Sequence, residues 1–507
     1  MKKFLVLLMA ATMLLSMCSF SAVAEAPIEI SLYYSDNATL PFKADWMVIQ
    51  KIQEKYNVKL TFEPIPMSDY KTKVGLVLST GEGAPDVILG TDSSADNAAA
   101  CLNGAAVAIS DYSEWTPNFN ARVAEFGLED NLKLLELGDG KRYYLPQLFD
   151  KPFYDGGLIL RQDYLEKKGF AAPKTFDDLY EILKAYKADY PDSYPLTTLL
   201  RPSVLYRMTM PSFGVSLSKN SASGSKVLSW DYDKKEFFAG AISEEYKAYV
   251  TYFHKLYAEG LLDPEMTQDD ASDARKMATG AAMAMYAYYD QIGGWTQAST
   301  IEGFKLNMYP VLEGPGGAHH QPKSSTGVGL LFPISTSKRA DFEQVVRKID
   351  EIFFSEEAAK MWCIGVEGVT YTMDGDKVVF NDEILNASEG IYKYMQNAYG
   401  CGCDGTQVVW YNAQEMIKYD ENYAAINAAV AAMPDAIQYI PATPAFDDLT
   451  AEDASLLMAT LSDAFEVWND EFLTGKKDIE ADWDTYVKEM TDKGINDFLK
   501  LYNDNKK

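Results

Sequence analysis

The chain has 507 residues, of which 47% are hydrophobic and 24% charged, a length that allows two or three domains with a large core. Its formal net charge is −28, from 46 basic and 74 acidic residues. Because proteins bind nucleic-acid backbones through clusters of lysine and arginine, this composition argues against a nucleic-acid partner.

The N-terminus predicts export. Lys2 and Lys3 precede an apolar run at 4–15, and the sequence AVA at 22–24 is a small-x-small cleavage site. Alternatively, LSMC ending at Cys18 resembles a bacterial lipobox and would be lipidated, although it lacks the small residue preferred before the cysteine. Both alternatives place the mature protein outside the cytoplasm, and no later apolar run is long enough to predict a membrane span.

The next part of the chain predicts strands and helices in alternation. Periodicity indicates strands at 28–33, 58–62 and 87–89, with helices at 46–56 and 70–78 between them. This order predicts a parallel sheet with helices on its faces.

The segment STGEGAPDVILG at 79–90 superficially resembles a nucleotide-binding loop. In such loops a helix follows the glycines and its N-terminus receives the phosphate. Here the order is helix, glycines, strand, and Glu82 and Pro85 are unsuited to phosphate. The segment is therefore interpreted as a turn between a helix and a buried strand.

The remaining elements have clear boundary signals. Thr175 is a predicted N-cap, followed by acidic residues and an apolar helical face that ends before Pro191. Further predictions are a helix at 246–262, strands at 282–286 and 327–335, a helical segment at 341–362, and a mainly helical chain from about 387.

Catalytic and metal-binding patterns are absent from the sequence. It contains no Gly-x-Ser-x-Gly, no phosphate-loop lysine motif and no His-Glu-x-x-His. The pair His319-His320 is predicted to lie in a solvated loop, and Cys401 and Cys403 to be structural or disulfide-bonded. The sequence predicts no catalytic residues, no metal site and no cofactor.

Several motifs resemble family 1 extracellular solute-binding proteins, the receptors of bacterial ABC importers to which maltose-binding protein is related. Besides STGEGAPDVILG, the similar segments in chain order are LILRQDYLEKKGFAAPKTFDDLYEILKAYK, LYAEGLLDPE, FSEEAAKMWCIGVEGVTYTMDGDKVVFNDEI and FLTGKKDIEADWDTYVKEMTDKGINDFLKLYND. Together they span nearly the whole mature chain and identify it as a member of the large, lipoprotein-like branch.

The resemblance implies an α/β, two-lobed periplasmic-binding-protein-like (type II) fold with hinge-linked lobes and a ligand cleft between them. The boundaries it implies are a signal peptide at 1–24, a first lobe at 25–155 and 306–365, and a second lobe at 156–305 and 366–507. Some relatives carry an Asp-x-Asn-x-Asn-Gly calcium loop after the Thr-capped helix. Residues 188–195 lack Asn and Gly, so no calcium is expected there.

The solute-contacting residues are predicted from the rule that ligands lie at the carboxyl ends of parallel strands. Sugar rings stack on aromatic side chains, and Asp and Asn bind their hydroxyls. The predicted contacts are Asp36, Asn37, Trp46, Asp92, Tyr144, Tyr154, Tyr288, Tyr289, Trp295 and Trp410.

The expected function is a non-enzymatic receptor that captures a carbohydrate, in particular an oligosaccharide, and delivers it to the permease of an ABC importer. The protein is expected to be monomeric and exported, either lipid-anchored at the cell surface or secreted. The alternatives are a receptor for a peptide or another small solute, and a secreted carbohydrate-active enzyme.

Overall fold

The computed structural model describes residues 26–38, 40–92, 97–149, 154, 156–198, 202–217, 225–265, 272–289, 291–321, 326–387, 389–403, 406–410, 421–433, 436, 438, 444, 446 and 448–506. The strands are β1 Ile28–Asp36, β2 Val58–Pro66, β3 Val87–Thr91, β4 Tyr144–Phe149, β5 Gly156–Arg161, β6 Leu196–Thr198, β7 Ser229–Asp231, β8 Glu236–Phe238, β9 Ala284–Tyr288, β10 Leu306–Tyr309, β11 Thr326–Leu331, β12 Tyr371–Asp374, β13 Lys377–Phe380 and β14 Val409–Trp410.

The α-helices are α1 Met47–Tyr56, α2 Met67–Thr80, α3 Ala98–Leu102, α4 Pro117–Phe126, α5 Glu129–Lys133, α6 Gln162–Lys168, α7 Phe176–Asp189, α8 Pro202–Thr209, α9 Glu244–Ala258, α10 Ser272–Thr279, α11 Gln291–Ala298, α12 Phe342–Phe354, α13 Glu356–Ile364, α14 Asp382–Leu385, α15 Ile391–Tyr394, α16 Glu421–Ala431, α17 Asp448–Thr474, α18 Ile479–Asp492 and α19 Ile495–Asp504. A π-helical turn, Met395–Tyr399, follows α15.

The first sheet has the strand order β14-β4-β11-β3-β1-β2. β1 pairs in parallel with both β2 and β3, which confirms the predicted β-α-β-α-β unit. β11 pairs antiparallel with β3 on one side and with β4 on the other, so the complete sheet is mixed. This sheet and its helices form the first lobe.

The second sheet has the order β10-β5-β9-β6 and forms the second lobe with the helices around it. β9 is antiparallel to β5 and parallel to β6. A large apolar cluster on one face joins the sheet to α7, α9 and the C-terminal helices, through Leu183, Phe253 and Tyr486 among others. Two α/β lobes of this kind agree with the predicted fold class.

The chain passes between the sheets after β4, before β11 and after β14. Residues 306–309, expected in the first lobe, pair with β5 of the second sheet. Val378, Phe380 and Val409, expected in the second lobe, belong to the core of the first. The lobe boundaries stay a prediction, and these contacts favour moving two of them, into 310–325 and 411–420.

Local signals predicted most of the elements well. Thr175 caps α7 in a capping box, in which Asp178 N–H donates to Thr175 Oγ1 at 3.0 Å and the Asp178 carboxylate accepts from the Thr175 N–H. The segment at 341–362 differs from its prediction because it is two helices, separated at Ser355, whose side chain caps the second one. The hairpin of β12 and β13 was not predicted.

The segment at 79–90 is a turn between α2 and β3, as predicted. Gly81 ends α2 with φ of +71°, a conformation that side chains with a Cβ rarely adopt. The Asp86 carboxylate accepts hydrogen bonds from Ser31 N–H and Oγ, both at 2.8 Å, and pairs with Arg339 at 2.8 Å. These contacts tie the turn to β1, so Asp86 has a structural role.

Candidate functional site

The strand directions of both sheets define one cleft edge in each lobe. In the first sheet β1, β3, β4 and β14 are mutually parallel, so their carboxyl ends share the edge at which the chain leaves for the other lobe. In the second sheet β6, β9 and β10 end beside Gly156, the first residue of β5, where the chain arrives. Ligands of open α/β sheets bind outside such carboxyl ends.

Three predicted residues lie half-buried at the edge of the first lobe. Asp36 ends β1, and its Oδ1 accepts a hydrogen bond from Phe42 N–H at 2.8 Å. Asn37 follows it and forms a short bridge with Leu40. Asp92 follows β3, and its backbone carbonyl accepts from Asn97 Nδ2 at 2.9 Å. The turns after these strands are thus fixed by local hydrogen bonds.

Two other predicted residues of the first lobe are packed in its interior. Trp46 is 3% exposed, and its indole faces Gly400, where an added Cβ would lie 2.6 Å from the ring. Tyr144 is 5% exposed, and Arg142 Nη1 donates to its carbonyl at 2.5 Å. Burial, and secondarily the charge of Asp92, raises the pKa of Tyr144. Tyr144 begins β4, so it lies at the opposite end of that strand from the cleft edge, and the Trp46 ring packs against Phe42.

In the second lobe three predicted aromatic residues meet in one apolar cluster, which contains Tyr154, Tyr289 and Trp295. Tyr154 lies where the chain enters the lobe. Its OH donates to the Tyr309 carbonyl at 3.1 Å, its N–H donates to Asn427 Oδ1 at 2.8 Å, and its ring contacts His320 edge-on. All three rings are at least nine-tenths buried.

The two lobes touch beside Trp295. Gln297 Nε2, on α11 of the second lobe, donates to the Asn386 carbonyl of the first lobe at 3.2 Å. Gly294, in the same helix, faces the backbone of Glu389. The aromatic cluster therefore lies close to a contact between the lobes.

Tyr288 lies on the opposite face of β9 from this cluster and is half-buried. The guanidinium carbon of Arg207, on α8, lies 5.5 Å from the centre of its ring. Arg207 was not among the predicted site residues. The sequence offered one signal for Arg207, namely a charged residue within a short helix whose apolar residues Val204, Leu205 and Met208 are buried.

The other predictions have different outcomes. Cys18 and the Trp410 side chain lie outside the described residues. The prediction of a solvated histidine loop is wrong for His320, which is 2% exposed because its backbone bonds to Ala436 and Gln438 and its ring packs on Tyr154. Cys101, Cys363, Cys401 and Cys403 have free thiols.

The predictions of no metal site and no membrane span apply to the whole chain, and the structure describes only part of it. Within that part of the chain, no group of three or more His, Cys, Asp or Glu side chains could hold a metal ion. At residues 188–195, where the sequence predicts no calcium site, the Asp189 carboxylate accepts hydrogen bonds from Tyr164 OH and Lys168 Nζ. No helix within the described ranges is long and apolar enough to cross a membrane.

Two surface cavities lie away from the cleft edges. One, of ≈ 560 Å³, is lined by residues of the first lobe that include Trp115, Asn118 and Arg347. The other, of ≈ 670 Å³, is lined in the second lobe by residues that include Tyr252 and Lys255. Neither is lined by a predicted solute contact, and we give more weight to the strand topology, because a cleft between two lobes need not form an enclosed cavity.

Comparison with known families identifies the chain. Residues 47–364, more than half of it, match the model of the bacterial extracellular solute-binding protein family. The chain belongs to this family. Its members are receptors, so the family membership supports a receptor rather than an enzyme, and an extracellular location.

The curated relatives are distant. The chain is 23% identical over 352 residues to the polygalacturonan/rhamnogalacturonan-binding protein YtcQ of Bacillus subtilis (strain 168), covering 66% of this chain and 65% of YtcQ. It is 22% identical to the fructooligosaccharide ABC transporter substrate-binding protein FusA of Streptococcus pneumoniae, covering 60% of this chain and 57% of FusA. The alignments thus leave about a third or more of each relative unmatched.

Solved structures support the fold over a greater length. The alginate-binding protein AlgQ2, in a crystal structure without calcium ion, superposes with a TM-score of 0.77 at 17% identity, covering 95% of this chain and 98% of AlgQ2. A solute-binding protein from Bifidobacterium longum infantis, described as HMO-binding and associated with an ABC transporter, gives a TM-score of 0.74 at 18% identity, covering 95% and 100%. At these identities the likeness establishes the two-lobed fold alone.

Proposed function

We propose that this solute-binding protein captures an oligosaccharide between its lobes and delivers it to the permease of an ABC importer. The observation that carries the proposal is the composition of the two facing edges. Carboxylate and amide side chains line the first-lobe edge, and tyrosine and tryptophan rings lie at or beneath the second-lobe edge. Sugars need this combination, because their hydroxyls require hydrogen bonds and their CH faces pack on rings.

Within this proposal, Asp36, Asn37 and Asp92 bind sugar hydroxyls, and Tyr288 contacts a ring. Tyr289 and Trp295 are buried in the apolar cluster of the second lobe, close to the contact between the lobes. Tyr154 supports the second-lobe edge from beneath, whereas Tyr144, which begins β4, lies at the other end of that strand from the first-lobe edge. Several relatives carry names that state a carbohydrate ligand, among them polygalacturonan and fructooligosaccharide.

A thermal-shift screen tests the proposal with a panel of oligosaccharides and a panel of peptides. A ligand present at about 100 times its Kd stabilises the folded state by about 2.7 kcal/mol, which is a shift of several degrees. The expected result is a shift with at least one oligosaccharide and none with peptides. A shift with a peptide and none with any oligosaccharide would favour the alternative function, a peptide receptor.

Two further measurements concern the enzymatic alternative and the anchor. Prolonged incubation with the stabilising oligosaccharide should leave it uncleaved, since a receptor binds without reaction, and cleavage would favour a carbohydrate-active enzyme. The intact mass of the exported protein should distinguish lipidation at Cys18 from cleavage after Ala24. Light scattering should give the mass of a monomer.

A further inference from the structure

Arg207 is a buried cation that has no counterion among the described residues. The residue is 8% exposed, and its guanidinium carbon lies 5.5 Å from the centre of the Tyr288 ring. Within the described residues its guanidinium makes no ion pair and no hydrogen bond, and Nη2 is fully buried without an acceptor. Arginine remains charged in proteins, so this position is suited to an anion.

Two neutral polar groups on the same face of the second sheet also lack partners. Thr198, the last residue of β6, is the register partner of Tyr286 on β9. Thr198 Oγ1 and Tyr286 OH are both buried, and neither forms a hydrogen bond with a described residue. Burial raises the pKa of Tyr286 well above its usual value, so its phenol keeps its proton and can donate.

These groups lie at the carboxyl ends of their strands. Thr198 ends β6, and Tyr288 ends β9 two residues after Tyr286, on the same face. Tyr288 is half-buried and pairs with Gly156, where the chain enters the lobe. Arg207 thus lies just inside the second-lobe edge of the cleft, behind a ring that reaches solvent.

Leaving such donors unpaired is costly, because a buried charge or hydroxyl loses its water without a replacement. An acceptor with two coplanar oxygens would fit the planar fork of a guanidinium. The hydroxyls of Thr198 and Tyr286 are the further unpartnered polar groups on this face of the sheet among the described residues. Since a single positive charge is present here in a chain of net charge −28, a singly charged anion suits the position better than a doubly charged one.

We propose that Arg207, on the same face of the sheet as Thr198 and Tyr286, provides a subsite for the carboxylate of an acidic sugar, and therefore that the solute is an oligosaccharide containing a uronic acid. This inference rests on the proposed function and specifies its ligand. Tyr288 contacts the same sugar from the side exposed to solvent. Asp36, Asn37 and Asp92 at the first-lobe edge bind the hydroxyls of the remaining sugar units.

The test is isothermal titration calorimetry with trigalacturonate and with its methyl ester, which has the same sugar rings but no charge. The wild-type protein should bind the acid at least 10-fold more tightly than the ester. Arg207→Gln should weaken binding of the acid about 30-fold, as expected for a charged hydrogen-bonded pair, and change binding of the ester less than 3-fold. Arg347→Gln, at an exposed arginine of the first lobe, should leave both affinities unchanged.

Each outcome separates the inference from the function on which it rests. Equal binding of acid and ester, an unchanged ratio in Arg207→Gln, or binding of a sulfated trisaccharide in place of the uronate would overturn the carboxylate subsite and leave the oligosaccharide receptor standing. Failure to bind any saccharide would remove the proposed function as well. If Arg207→Gln does not fold, Arg207→Lys takes its place, and it should lose at least 5-fold because lysine lacks the planar fork.

Discussion

Among the described residues, the second lobe contains two buried arginines at opposite edges of one sheet, and they differ in whether a carboxylate accompanies them. Arg161, at the end of β5, and Arg207 are 6% and 8% exposed, and each lies over an aromatic ring, Phe304 at 5.0 Å and Tyr288 at 5.5 Å. Arg161 is paired with Asp163, its Nε donating to Oδ1 at 3.0 Å, whereas Arg207 has no carboxylate among the described residues.

The presence or absence of a carboxylate partner distinguishes a buried charge with a structural role from one suited to binding a ligand. Burial alone would lower the pKa of Arg161, but the hydrogen bonds and charge of Asp163 outweigh burial and raise it. A buried charge with a complete set of partners is part of the fold, as Asp86 also shows. A buried charge without partners, placed at a cleft edge, is the kind of feature that marks a binding site.

The largest expected effect is at the paired arginine. Arg161→Gln should lower the free energy of unfolding by about 3 kcal/mol, because Asp163 would lose its partner in a mostly buried position. Urea unfolding followed by circular dichroism measures this change. A loss below about 1 kcal/mol would mean that the ion pair contributes little and that the contrast with Arg207 is weaker than we infer.

Removing only the acid should turn Arg161 into a second unpaired arginine. Asp163→Asn is expected to cost about 2 kcal/mol, less than the first variant, because an asparagine oxygen can still accept one hydrogen bond from the guanidinium. The same unfolding measurement applies. If this variant is as stable as the wild type, an unpaired buried arginine costs nothing in this lobe, and the case for an anion site at Arg207 loses its energetic basis.

The N-cap of α7, in the same lobe, gives a reference value for the effect of one local interaction on the free energy of unfolding. Thr175→Ala should cost about 1 kcal/mol, because it removes the acceptor of the Asp178 N–H at the start of α7. Backbone hydrogen bonds from the Lys174 and Thr175 N–H groups lower the pKa of Asp178, so the stabilisation by its carboxylate is present above pH about 4 and is lost as the pH falls through the lowered value. Thr175→Ala keeps both backbone donors, so its difference from the wild type should be similar at pH 7 and at pH 3, whereas the difference for Asp178→Asn should be smaller at pH 3.

The smallest expected effect is at the unpaired arginine. Arg207→Gln should change the free energy of unfolding by less than about 0.5 kcal/mol in the absence of ligand, or increase it, because no ion pair is broken and a buried charge is removed. Thermal unfolding of the ligand-free protein checks this. A loss comparable to that of Arg161→Gln would show that Arg207 has a structural partner after all.

Local features of the fold could be predicted from the sequence, whereas the partners of distant segments could not. The alternation at 28–33, the cap at Thr175 and the glycine turn at 79–90 depend on neighbouring residues only, and all three agree with the structure. The pairing of 306–309 with β5 joins segments far apart in the chain, and nothing in the short strand indicates its partner.

The same limit applies to the candidate site. Strand ends selected Asp36, Asp92 and Tyr288, which do lie at the two cleft edges. The strand-end rule does not predict which face of the sheet a ring occupies. Tyr288 and Tyr289 are adjacent in sequence but belong to opposite faces of the second sheet, because successive side chains along a strand alternate between the faces. Arg207 lies in a short helix, and its lack of a counterion follows from tertiary packing alone.

The position of β11 has a consequence for how the chain folds. β11 lies between β3 and β4 in the first sheet, yet the whole second sheet separates it from them along the sequence. Before residues 326–331 pair as β11, no strand joins β4 to the unit formed by β1, β2 and β3. All four strands of the second sheet, by contrast, precede residue 310. Because distant pairings form slowly, we expect the second sheet to form before the first, and the closing of the gap by β11, together with the packing of the C-terminal helices on the second sheet, to limit the rate of folding.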